Sequence, residues 1–185
     1  MKKIVWTFGL IAGAILSVMM LLTMPFVFSD RIGFEGGMII GYTTMVMAFL
    51  LVYFGVRSYR DNVAGGSVGF GRALTVGSLI VLVASVCYVA TWQVIYFKLA
   101  PDYSAKLQAY MVEHARASGE SPAVIQKKVA ETEEFMRRYE NPVFNAAMTF
   151  REPLPVGLIF ALVSAGILSR RRRRTEAGLA AAAAA

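Results

Sequence analysis

Cysteine and histidine are almost missing from this chain. Cys87 and His114 are single examples among 185 residues. One cysteine excludes an intramolecular disulfide, and neither residue has the company that a zinc site needs. Cys87 lies in the middle of an apolar block and reads as a small apolar side chain facing lipid or another helix. His114, next to Glu113, reads as a surface or stripe histidine. Charge is scarce too. Asp, Glu, Lys and Arg make up 17% of the chain, against about 25% in a soluble domain. None of them stands in the middle of a long apolar run, which argues against an ion-coupled transporter with a midplane coupling site.

What is present is apolar and segregated. The chain is 57% hydrophobic with a mean hydropathy of +0.56, and the excess is packed into long blocks, the mark of membrane helices. Spans are predicted at about 4–28, 37–56, 74–96 and 154–169. Lys2 and Lys3 precede the first block, but it is far longer than the apolar core of a signal peptide, about 7–15 residues, and no small-residue cleavage site follows. Pro25 falls near its far end. The last block is the weakest. Leu154 to Leu168 reaches about 22 Å as a helix, short of a hydrocarbon core of about 30 Å. Either the bilayer thins around it, or the helix begins near Val143 and kinks at Pro153 and Pro155. The first solution is preferred, because Arg151 and Glu152 are costly inside lipid.

Between the second and third blocks lies a polar, glycine-rich stretch, Arg57 to Arg72. Its Gly69-Phe70-Gly71 invites a dinucleotide reading, but that motif needs a strand before it. Here a membrane helix precedes it, so an interfacial turn is expected. In the third block Tyr88, Trp92 and Tyr96 recur every four residues and share one helical face. They read as an interfacial aromatic belt, or as a stacking site for a ligand.

From Lys98 to Glu152 the composition changes, with eight basic and eight acidic residues. Two amphipathic helices are predicted, about 102–118 and 121–139. Gly119 ends the first, and Ser121 with Pro122 starts the second. They form an antiparallel hairpin, followed by a short amphipathic piece, Val143 to Phe150.

Basic flanks set orientation. Lys2 and Lys3, then Arg57, Arg60 and Arg72, then Arg170, Arg171, Arg172, Arg173 and Arg174 all fall on one side. That side is expected to be cytoplasmic, with both termini in and the hairpin outside. The arginine run reads as a topology anchor rather than a nucleic-acid site. Small residues recur at four-residue spacing in Gly9, Gly13 and Ser17, in Gly33, Gly37 and Gly41, and in Gly157, Ala161 and Ala165. Each strip permits close helix approach, within one bundle or between copies in a homo-oligomer. Glu35, Arg151 and Glu152 form a candidate polar cluster at the outer boundary.

Three stretches resemble a known family. Gly55-Val56-Arg57-Ser58-Tyr59-Arg60-Asp61-Asn62, leading to Gly66-Ser67-Val68-Gly69-Phe70-Gly71-Arg72-Ala73, is similar to the second-loop motif of the bacterial membrane family called domain of unknown function 4199. Tyr139-x-Asn141-Pro142 and Glu152-Pro153-Leu154-Pro155-Val156-Gly157 are similar to it as well. The resemblance runs from the first span to about Leu168. It implies a bacterial multi-pass membrane protein, commonly of four spans, and supplies no catalytic residues.

The expectation is an all-α membrane protein with four transmembrane helices and an extracytoplasmic helical hairpin between the third and fourth. No enzymatic activity, cofactor, metal or nucleic-acid partner is expected. The leading role is a structural or interaction protein of the inner membrane, in contact with lipids and using the hairpin for a protein partner. Small-solute transport and lipid binding, with Trp92 and Tyr96 near the head groups, are the alternatives.

Overall fold

A computed structural model describes the backbone of residues 1–29, 31–117, 119 and 121–183, and the side chains of these up to residue 169, Phe28 excepted. The side chains of Arg170 to Arg174, expected as the topology anchor, therefore lie outside the described residues. Among the described residues the chain is helical, without strands. The order is α1 (Lys2–Phe28), α2 (Gly33–Asn62), α3 (Phe70–Val94), a π-helical turn (Ile95–Leu99), α4 (Tyr103–Ala117), α5 (Pro122–Tyr139), α6 (Pro142–Phe150) and α7 (Pro153–Ala183). Four stretches are long and apolar enough to cross a membrane: Lys2–Val27, Gly33–Asn62, Phe70–Leu99 and Pro142–Ser169.

The helices overrun the apolar blocks that announce them. α2 starts at Gly33, whose φ of +62° suits a residue without Cβ. It runs past its apolar part to Asn62, with Arg60 Nε donating to Asp61 at 2.6 Å and Arg57 3.6 Å from the same carboxylate, an i,i+4 pair. The polar stretch expected over Arg57 to Arg72 thus shrinks to residues 63–69, turning at Gly65 and Gly66 with φ of +67° and +87°. Pro25 is accommodated inside α1, one turn from its end. At the fourth stretch the helix is interrupted before the prolines. α6 is a separate helix, Arg151 and Glu152 form a turn, and α7 begins at Pro153.

α3 packs against α1, α2 and α7, whereas α1 and α7 lie on opposite sides of the α2–α3 pair. Small residues set these approaches. A Cβ on Gly9 would stand 2.7 Å from Val83 Cβ, and one on Gly13 would stand 2.6 Å from Cys87 Cβ. One turn on, Thr91 Oγ1 donates to Ser17 Oγ at 2.7 Å. The three contacts advance together, so α1 and α3 run parallel in one continuous register. α7 runs the other way: Gly157 sits on Val81, and Ala161 sits on Gly77. The resulting core is apolar and closed, around Phe49, Val52, Val56, Val76, Ile80 and Ala165, all with zero exposure. It occupies the half of the bundle nearer the amino terminus and the 63–69 turn.

Candidate functional site

The opposite end of the bundle is built differently. Its foundation is a polar network that seats the α5–α6 junction on α3. Asn141 caps α6, its Oδ1 accepting from the backbone N–H of Val143 and Phe144 at 3.0 and 3.2 Å. Pro142 supplies the first turn. This cap aims Asn145 and Thr149 inward, where both are buried. Gln93 Nε2 on α3 donates to Asn145 Oδ1 at 2.8 Å, and Asn145 Nδ2 donates to the Tyr139 carbonyl at 3.3 Å. Trp92 Nε1 donates to Tyr139 Oη at 3.0 Å, and the same hydroxyl lies 3.0 Å from Thr149 Oγ1. Buried polar groups demand such partners, so the network fixes where α5 and α6 lie.

Aromatic rings pack around it. Tyr103 meets Trp92 edge to face at 4.9 Å, Tyr96 meets Tyr139 at 5.3 Å, and Phe34 meets Tyr103 at 5.9 Å. Burial pushes the Tyr103 and Tyr139 hydroxyls above the usual phenol range. α4 is tied to the start of α2 as well: Tyr110 Oη donates to Glu35 Oε1 at 3.3 Å, and His114 Nε2 lies 3.4 Å from the same oxygen.

Two adjoining cavities open beneath this cluster. The first, about 220 Å³, lies between α1, α2 and α3 and is rich in methionine, with Met19, Met20, Met24, Met38 and Met45 on its wall. Met19, Met38 and Tyr42 are exposed at its rim. The second, about 470 Å³, lies under α4 and α5 against the α6–α7 turn and includes Arg151. Tyr42, Tyr103, Tyr139 and Glu152 line both. Glu152 is therefore the acid at the junction, and Tyr88 Oη donates to its Oε2 at 2.8 Å. The α6–α7 turn is what points it there. Methionine is unbranched and polarizable, so the first cavity suits flexible apolar matter.

The chain belongs to the DUF4199 family. The model of that family, described as a protein of unknown function, matches residues 7–170. No curated protein and no solved structure matches the chain. The match takes in every residue of both cavities in this DUF4199 protein.

The residues singled out from sequence land in different places. Tyr88, Trp92 and Tyr96 share a face turned toward the protein: Trp92 and Tyr96 are buried, Tyr88 is half-buried on Glu152, and Tyr96 lines neither cavity. Arg151 and Glu152 meet at the second cavity, whereas Glu35 is engaged with α4. Gly9, Gly13, Gly157 and Ala161 are filled by neighbouring helices, and Gly37 is filled by Val27. Gly41 stands apart: nothing lies within 4 Å of the Cβ it lacks, and it opens onto the first cavity. Sequence reasoning missed Gln93, Asn145 and Thr149 altogether. The available signal was three amide and hydroxyl side chains in otherwise apolar helices.

Proposed function

We propose that this DUF4199 protein is a multi-pass membrane protein that binds a lipid in the paired cavities and catalyses no reaction. The carrying observation is the position of Glu152, at the junction of a methionine-rich cavity in which it is the charged residue and a second cavity that adds Arg151 to it. An amphipathic molecule has the same two-part chemistry. Its chain would enter between α1 and α2 past Met38, and its head would lie beneath α4 and α5 beside Arg151 and Glu152. Outside the polar network the buried polar residues are few among the described residues (Arg60, Ser85 and Ser164), and the core is dominated by apolar side chains, which favours binding over conduction.

In this reading the basic flanks lie in the cytoplasm of a bacterium, with both termini, and the cavities open toward the outer leaflet. α4 and α5 then form an extracytoplasmic hairpin that roofs the site, and they serve the bound molecule before any protein partner. Gly41 supplies the test, since a ring added there enters open space. Full-length protein purified in mild detergent should retain lipid by native mass spectrometry, and Gly41→Phe should lose it without a lower melting temperature. Wild-type protein that carries no lipid, or Gly41→Phe that carries as much, would sink the reading.

A further inference from the structure

The charges at the cavities are sparse and of opposite sign. Glu152 is the charged residue on the wall of the first cavity, and Arg151 and Glu152 are those of the second. A carboxylate accepts several hydrogen bonds, and Tyr88 supplies one of them. Tyrosine rings of Tyr42, Tyr103 and Tyr139 flank the acid in both cavities. Such rings attract a cation through their faces. A guanidinium, by contrast, matches a phosphate with paired donors.

Resting on the lipid reading above, we propose that the occupant is a zwitterionic phospholipid, its ammonium held at Glu152 among the tyrosines and its phosphate held by Arg151. A phospholipid with an uncharged alcohol head would leave Glu152 facing a phosphate with no cation between them. A simple cationic amphiphile would leave Arg151 facing like charge. The zwitterion satisfies both residues. Its acyl chain takes up the methionine-lined cavity and runs out past the exposed Met38 and Ile39.

The test is a competition on full-length protein in mild detergent, read by native mass spectrometry. Equimolar palmitoyl-oleoyl phosphatidylethanolamine and palmitoyl-oleoyl phosphatidylglycerol are offered together. Wild type should retain the ethanolamine lipid in preference. Glu152→Gln should lower the ethanolamine-to-glycerol ratio about tenfold, the scale of one charge-assisted hydrogen bond. Arg151→Gln should weaken retention of both lipids and leave their ratio unchanged, because both carry the phosphate. If Glu152→Gln does not fold, the wild-type ratio and Arg151→Gln decide. Equal retention, preference for the glycerol lipid, or an unchanged ratio in Glu152→Gln overturns the zwitterion and leaves lipid binding standing. Retention of neither lipid overturns both.

Discussion

At the residue scale, the site depends on a few polar atoms buried where the surrounding sequence is apolar. Trp92 has one donor, and it is spent on Tyr139. Tyr139→Phe removes the acceptor and strands that indole N–H, and it strips Thr149 of a partner. A buried polar group left unpaired costs about 1–3 kcal/mol. Thermal unfolding in detergent should therefore show Tyr139→Phe clearly less stable than wild type, with Trp92→Phe milder because it removes a donor rather than stranding one. Equal, negligible losses in both would mean that water replaces the network. None of this pairing was legible in the sequence. Tyr88 and Glu152 are 64 positions apart, and Gln93 and Asn145 are 52 apart. Hydropathy treats Asn145 and Thr149 as blemishes in an apolar piece, because it counts composition and is blind to who faces whom.

At the scale of elements, boundaries written in local chemistry were readable and boundaries set by packing were not. Gly119 with φ of +70°, Ser121 and Pro122 at the start of α5, and Asn141 and Pro142 at the start of α6 are local signals. The extension of α2 to Asn62 runs through charged residues beyond the apolar block, where hydropathy gives no signal. The α6–α7 turn became interpretable only once Glu152 had a partner. α4 differs from the other helices in having no fully buried residue, Tyr103 being half-buried. It is held through Tyr103 and through the Glu35 contacts with Tyr110 and His114. An exposed contact of this kind contributes at most about 1 kcal/mol. Glu35→Gln should leave global unfolding almost unchanged while speeding amide exchange in α4. Exchange that stays slow in α4 would show that its aromatic contacts suffice.

At the scale of the whole molecule, the long apolar helices were plain from hydropathy, but their arrangement was not. Small-residue strips say that helices come close without saying which helices. The strip on α1 meets α3, and Gly55 and Gly77, which were not singled out as packing residues, are part of the same bundle packing. Overpacking a filled position costs about 1–3 kcal/mol. Gly13→Leu should lower the melting temperature in detergent and leave oligomeric state unchanged, since its neighbour is Cys87 of the same chain. A change in oligomeric state with intact stability would relocate that strip to a contact between copies.

The parallel register of α1 on α3 also bears on how the bundle comes into being. The chain emerges from the ribosome in order, so α1 and α2 exist before the surface that Gly9, Gly13 and Ser17 fit has been made. α7, made later, closes on the other side of α3, at Val81 and Gly77. Assembly is thus conditional on the third helix. Until α3 arrives, the grooved face of α1 stands bare, and once it does, α1 and later α7 can close on it and the chamber at the far end acquires its walls.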